Sequence, residues 1–340
     1  MKPTLFFIVS TAIPTILTLK PPSPPLPHDL ITQFPFPTWL ENIAVRTNGD
    51  ILVTTLSSTP NAILYTVQSP SFPSASPIPL HTFTNITSLF GITESSTKPD
   101  LFLIAGGNLP TASTPASYFI WALDFQQHPP KTTLIAENPH ALLPNGITSI
   151  PHRDAILVAD SLAGLVWHVN LTTGETTTGI QVPEMAAPPG SPPDAIGING
   201  VKIHKGYLYW SHSSLASIFR VRINKDGRRD LNAPVETVAR LDATFLDDFV
   251  IEPDGIIWAA TNSDSTLVAV DIRTGKSEVV LGGKGEMTVA GATAVAPGRG
   301  KGDEGAVYVV TCGGLRRPVN GTVVEGGKVA RVDTRGFKFG

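Results

Sequence analysis

Glu41, Asn145, Asn199 and Asp247 fall at the same point of four recurring segments, ENIAV, NGITSI, NGVKI and DDFVI. Two carboxylates and two amide carbonyls make a hard, oxygen-only donor set. Its two negative charges balance one Ca²⁺ and leave coordination positions for water or substrate. No His or Cys belongs to the set, which disfavours zinc and copper. Without a cation, Glu41 and Asp247 would repel one another in a confined space and one of them would take up a proton. The plainer reading is turn chemistry, in which Asn-Gly and Asp at strand starts cap loose backbone amides. Glu41 fits that reading poorly, because a Thr or Val pairs better at the mouth of a β-hairpin. It is expected to bind a metal or to hydrogen-bond a ligand. In the two remaining repeats the place is taken by Phe90 or Gly91 and by Ala290 or Gly291.

These residues share a position only if the chain is repetitive, and it is. DILVTT from Asp50, DLFLIAGG from Asp100, AILVADS from Ala155, YLYWSHS from Tyr207, IIWAATN from Ile256 and AVYVVTC from Ala306 align as second strands about every 50 residues. Third strands follow in most units: AILYTV, SYFIWALD, GLVWHVN, SIFRVRI, STLVAVD and GKVARVD. An open stack of such units leaves sheet edges that invite aggregation, and radial closure removes them. The expected fold is an all-β, six-bladed β-propeller over residues 21–340, with residues 28–36 pairing into the last blade. The first strand of each unit then lines the central channel. The segment from Thr176 to Ile198, rich in Pro and Gly, is expected to be a loop, either a connector or a lid.

Composition agrees. Of 340 residues, 41% are hydrophobic and 16% charged, enough for a large core, while 31 Pro and 30 Gly suit many short strands and turns. A net charge of −3 without a Lys/Arg-rich run argues against nucleic acid as a partner. Residues 1–20 carry an apolar stretch from Leu5 to Leu19, too short and interrupted for a membrane span but suited to a secretory signal, so a secreted or secretory-lumen protein is expected. The sequons at Asn85, Asn170 and Asn320 agree as glycosylation acceptors. The single cysteine, Cys312, is expected to be a small buried hydrophobe.

In its order of Glu, Asn, Asn and Asp, the chain resembles the SMP-30/gluconolactonase/diisopropylfluorophosphatase superfamily over about residues 35–335. That resemblance implies a six-bladed propeller holding a divalent cation, usually calcium, through Glu41, Asn145, Asn199 and Asp247. TWLENIAVRTNGDILVT and LDDFVIEPDGIIWAATN more closely resemble a secreted fungal subgroup that includes hetero-Diels-Alderases. Those enzymes join a tropolone quinone methide to humulene or a related alkene. Glu41 is followed by Asn-Ile, whereas lactonases usually have Gly-Pro there, which weakens a lactonase reading.

Three functions share this frame. The leading one is a pericyclase acting on polyketide and terpene small molecules, with Trp39, Phe90 and Phe245 as an apolar wall and His212, Asp248 (if protonated), Arg316 or Arg317 as hydrogen-bond donor to the heterodiene oxygen. For either arginine a solvated loop position is the plainer expectation. The second is a calcium-dependent lactonase or esterase in which the cation polarises a carbonyl. A Ser-His-Asp hydrolase lacks the G-x-S-x-G elbow. The third is a binding propeller plugged by a structural ion.

Overall fold

A computed structural model describes residues 24–56, 61–68, 75–109, 116–192 and 195–340. The expected signal segment, residues 1–20, lies outside them. Apart from a short 3-10 turn at Pro183–Met185, all the regular secondary structure of the described residues is strand. Alternation and β-branching explain this locally: third strands such as NAILYTV and SYFIWALD bury every other residue or more, and second strands such as AILVAD and AVYVVT are buried throughout. A strand buried on both faces must lie between two apolar layers.

The strands run in chain order as β1 (His28–Gln33), β2 (Trp39–Val45), β3 (Ile51–Leu56), β4 (Asn61–Val67), β5 (Pro77–Thr84), β6 (Ser88–Glu94), β7 (Leu101–Asn108), β8 (Ser117–Asp124) and β9 (Lys131–Glu137). Next come β10 (Pro144–Ser149), β11 (Ala155–Asp160), β12 (Leu165–Asn170), β13 (Thr176–Ile180), β14 (Ile198–His204), β15 (Tyr207–His212), β16 (Ser217–Arg222) and β17 (Glu236–Arg240). The chain ends with β18 (Leu246–Ile251), β19 (Ile256–Thr261), β20 (Thr266–Asp271), β21 (Ser277–Gly282), β22 (Ala292–Pro297), β23 (Ala306–Thr311) and β24 (Lys328–Asp333). Among the described residues no helix is long and apolar enough to cross a membrane.

Pairing gives four separate four-stranded antiparallel sheets, β10–β13, β14–β17, β18–β21 and β22–β24 with β1, and a fifth of eight strands, β2–β9. Six separate sheets, the simplest consequence of the repeat, are not what is seen. The first two repeats are hydrogen-bonded into one sheet at a single position, Leu56 opposite Ser88. As expected, β1 pairs antiparallel with β24, so the last sheet is completed by the start of the chain. Apolar layers separate successive units. Ile43, Val53 and Val67 meet Ala294, Tyr308 and Val329, while Leu157, Ala159 and Val166 meet Val201, Trp210 and Phe219. The first strands touch in sequence, β2 to β6, β10, β14, β18, β22 and back to β2, forming a closed, propeller-like ring.

The segment from Thr176 to Ile198 is only partly a loop. Its first five residues form β13, the edge strand of the third unit's sheet, and Ile198 already begins β14. Between them several of the described residues are pinned down. Met185 is fully buried, Trp210 Nε1 donates to Glu184 O at 3.2 Å, and Gly197 N donates to Ser161 O at 3.1 Å.

Each first strand carries one extra residue relative to its partner. In β2, Leu40 faces Thr55 and Ile43 faces Val53; the same shift falls at Leu89/Ile92, Pro144/Ile147, Ile198/Val201, Leu246/Phe249 and Ala292/Ala294. Such a bulge leaves amides unpaired and re-aims side chains. Second-strand hydroxyls take up two of these amides: Asn42 N donates to Thr54 Oγ1 at 2.9 Å and Gly200 N to Ser211 Oγ at 2.8 Å. The Asn-Gly pairs at 145–146 and 199–200 are therefore bulge residues inside strands, not turns. Their glycines let neighbouring first strands approach. A Cβ on Gly146 would lie 2.6 Å from Asn199 O and from the Gly200 Cα. Gly146→Ala should therefore destabilise the fold by about 2–3 kcal/mol through overpacking, whereas Gly285→Ala, with its nearest neighbour at 3.4 Å, should be near neutral. Equal melting temperatures for the two variants would refute this account of the bulge glycines.

Candidate functional site

The bulges bring Glu41, Asn145, Asn199 and Asp247 to the same end of the ring, each less than a tenth exposed. Glu41 Oε2 accepts a hydrogen bond from Trp39 Nε1 at 2.7 Å. Asp247 accepts from Asn199 Nδ2 at 2.9 Å and from Asn262 Nδ2 at 3.1 Å. Asn199 Nδ2 also donates to Ser213 Oγ at 3.0 Å, which leaves its Oδ1 buried without a partner.

Burial pushes the Glu41 carboxyl up to about 7; the Trp39 hydrogen bond and the charge of Arg316 pull the other way, and Asp248 adds to the rise. Burial also holds Asp247 well above the carboxylate range, helped by the charges of Glu41 and Asp248 and opposed by the Asn262 and Asn199 bonds. A buried orphan oxygen beside two desolvated carboxylates fits a hard cation, since it would satisfy the amide oxygen and remove the mutual repulsion. Only two of the four donors carry charge, and among the described residues no cluster of three His, Cys, Asp or Glu gathers as an alternative.

One layer further along the axis, Asn42 and Asp248 occupy equivalent bulge positions and meet, Asn42 Nδ2 donating to Asp248 Oδ2 at 2.9 Å. Lys202 Nζ lies 2.7 Å from Asp248 Oδ1, which also accepts from Phe249 N. Asp248 thus accepts three hydrogen bonds and is ion-paired, the arrangement of a carboxylate and not of the protonated donor expected for it. His212 is fully buried. Its Nδ1 accepts from Leu215 N at 3.2 Å, so the proton sits on Nε2 and is donated to Ala186 O at 2.9 Å. Burial lowers its proton affinity. Both ring nitrogens are thus engaged with backbone, Nε2 with the loop at Ala186 and Nδ1 with the turn at Leu215.

The aromatic residues also differ from expectation. Trp39 is a hydrogen-bond donor to the site as well as an apolar surface. Phe90 and Phe245 are 3% and 8% exposed, so little of either ring faces outward. The exposed apolar side chains at this end belong to loops: Phe36, Leu109, Leu142, Leu162, Leu215 and Val323 all precede a first strand or follow a second one. Their isolated positions in Pro- and Ser-rich turns gave no periodic signal. Arg317 is exposed beside Arg316. Cys312 is buried just past β23, with Asn262 Nδ2 at 3.8 Å, and burial pushes its thiol up to about 11. Asn85 and Asn320 are exposed, whereas Asn170 is half-buried and its Oδ1 accepts from Thr172 N.

The charge geometry has a measurable consequence. An unfolded Glu41 has the ordinary value of 4.5 and the folded one about 7, so with chelator present the folded state loses stability as pH rises from 4.5 to 7. The expected loss is on the order of 3 kcal/mol and is constant above that range. Relative to wild type, Glu41→Gln should therefore gain melting temperature between pH 5 and pH 8 in chelator. If calcium binds here, it should stabilise wild type at pH 8 and leave the variant unchanged. Parallel pH profiles in chelator would rule out the buried-carboxylate account.

No profile of a known protein family matches the chain. Two relatives do, each called "Putative hetero-Diels-Alderase". The one from Sarocladium schorii, asR5, is 30% identical over 349 residues, covering 93% of this chain and 85% of its own. The one from Phoma sp is 29% identical over 330 residues, covering 86% and 90%. Among solved structures, a luciferin-regenerating enzyme superposes with a TM-score of 0.62 at 13% identity, covering 92% of this chain and 97% of its own. Regucalcin, a calcium-binding protein from Agrobacterium tumefaciens, superposes with 0.58 at 14%, covering 92% and 96%. At those identities the structures speak for the fold alone, a β-propeller-like ring. The sequence relationship goes further: the chain belongs to the family of these Sarocladium and Phoma hetero-Diels-Alderase-like proteins.

Proposed function

We propose that the protein is a six-bladed propeller that catalyses a hetero-Diels–Alder cycloaddition. The eight-stranded sheet divides naturally at Leu56–Ser88, because Leu52 and Leu64 on one side and Leu89, Phe102 and Ile104 on the other pack face to face in an apolar layer like those between the other units. Residues 21–340 then form a single domain of six blades.

The observation that carries the chemical reading is the make-up of the carboxylate end of the ring. Exposed apolar loop residues gather at that end, and the one histidine expected to act there is bound to backbone on both nitrogens. Such a surface suits a hydrocarbon-rich ligand, and the described residues there present no evident nucleophile–base pair. A cycloaddition needs neither. The oxygen and carbon ends of an enone-type heterodiene form one C–O and one C–C bond to the two carbons of an alkene, with no proton moved and nothing released. Holding the partners in register contributes an effective molarity of roughly 10⁵ M or more in favourable cases. In this reading the partners are a tropolone quinone methide and a humulene-type sesquiterpene, the pair implied by the resemblance of residues 38–54 and 246–262 to hetero-Diels-Alderases.

Calcium is the cation that Glu41, Asn145, Asn199 and Asp247 would hold; when bound it supplies charge neutralisation and a Lewis-acidic centre. The orphaned Asn199 Oδ1 and the two carboxylates favour a second reading, a metal-dependent lactonase on the same frame. The two readings separate with purified protein given either a generated tropolone quinone methide plus humulene or a simple aldonolactone. One stereoisomeric adduct above background, with the lactone intact, is expected. Calcium-dependent lactone opening without adduct would replace the proposal with the second reading.

A further inference from the structure

The charged side chain closest to this site that has no assigned task is Arg316. Several arginines elsewhere are ion-paired: Arg46 with Asp100, Arg220 with Glu236, Arg299 with Glu94 and Arg331 with Asp303. The Arg316 guanidinium has no hydrogen bond or ion pair among the described residues. It is nevertheless held in place, with its Cζ 4.1 Å from the centroid of the Phe245 ring.

That platform is rigid. Asp264 accepts from Thr244 N, from Thr244 Oγ1 at 2.8 Å and from Phe245 N at 3.4 Å, and Phe245 O accepts from Asn262 N at 3.1 Å. Asp247 follows Phe245 by two residues, and Asn262 also donates to Asp247, so platform and carboxylate belong to one hydrogen-bonded unit. On the other side, the Arg316 loop is tied to the sheet by Leu315 N to Cys312 O at 3.3 Å and by Glu325 N to Gly313 O at 2.9 Å. The guanidinium charge reaches Glu41 and pulls its proton affinity down.

A guanidinium lying over a ring has one side covered by it, and its planar fork of N–H donors stays free for a ligand. That fork matches two adjacent oxygens lying in a plane, which a lysine ammonium cannot grip in the same way. We propose that Arg316 is the specificity-determining residue of this site, its guanidinium binding two adjacent oxygens of a planar substrate ring and setting that ring's orientation over the Glu41–Asp247 end of the channel. The proposal rests on the cycloaddition reading and names the substrate class within it: a ring whose carbonyl oxygen is flanked by a second acidic or anionic oxygen. Withdrawing charge from that carbonyl oxygen in the transition state also lowers the barrier.

The test uses the full chain and two small probes: tropolone, with adjacent oxygens, and tropone, which lacks the hydroxyl. Each is titrated by its own absorbance into wild type, Arg316→Lys and Arg316→Met. Wild type should prefer tropolone by at least about tenfold. Both variants should lose that preference while tropone affinity stays within about twofold. Arg316→Lys keeps the charge, so its failure isolates the planar fork. Because Arg316 is exposed, both variants should melt with wild type. A wild type with no preference, or an Arg316→Met that keeps it, overturns the proposal. Adduct formation by wild type, measured separately, reports on the cycloaddition itself. Adduct with an Arg316-independent preference sinks only the assignment of Arg316. An Arg316-dependent preference without adduct sinks the reaction and leaves the ligand class standing.

Discussion

One extra residue in each first strand is the constraint on which the rest of this structure depends. An unbulged antiparallel ladder alternates its side chains strictly between two apolar layers, so no polar group could point along the axis without abandoning the core. The bulge breaks that alternation once per unit and at a common height. Glu41, Asn145, Asn199 and Asp247 can therefore converge while Leu40 and Ile43, or Leu246 and Phe249, stay in the core on either side. The device leaves backbone amides without ladder partners. Thr54 and Ser211 accept from two of them, and the side chains of Asn42 and Asp248 cap Ile43 N and Phe249 N.

Charge along the axis is then arranged in two layers of different character. The inner layer, Asn42, Asp248 and Lys202, is closed: the carboxylate has three donors, one of them the lysine cation. The outer layer is open. Asn199 Oδ1 lacks a partner, Glu41 has one donor, and both carboxylates there are held above their ordinary range. Desolvated, unneutralised carboxylates are costly to a fold, and a stability-driven sequence would replace them. Their placement at the end of the ring that also carries the apolar loops is what makes that end the candidate site.

The ring was legible in the sequence because its period of about 50 residues repeats apolar strands of uniform length, and the four axial residues were legible because they share a phase in that repeat. The edge strands were not. TTTGI in β13 has no apolar alternation, and it becomes a strand only because β12 offers it a hydrogen-bonding edge. Local reading failed in the same way for His212 and Asp248. Both lie where a catalytic group could stand, but their partners, Ala186 O and Lys202, come from 26 and 46 residues away. Asn262 escaped notice for the complementary reason, and Arg316, a candidate donor whose plainer reading was a solvated loop residue, was legible without its aromatic platform. They sit just past second strands, outside the phase that was compared, and only the folded ring brings them to Asp247 and Phe245.

The same geometry explains why family membership and site chemistry have to be argued separately. A cation site at the end of a propeller polarises whatever oxygen is brought to it, and the ring itself does not choose between an ester carbonyl and a heterodiene. That choice falls to the loops. A hydrolytic site must also position water and a base, and His212, the histidine expected to act here, is committed to backbone partners on both ring nitrogens. A cycloaddition site must instead hold two apolar partners still and steer one oxygen. Exposed leucines on several loops and an unpaired guanidinium on an aromatic platform are the features that requirement calls for. The cation and the arginine then have different tasks: the first would settle charge that the bulges force into the channel, and the second would decide which way round the ligand lies above it.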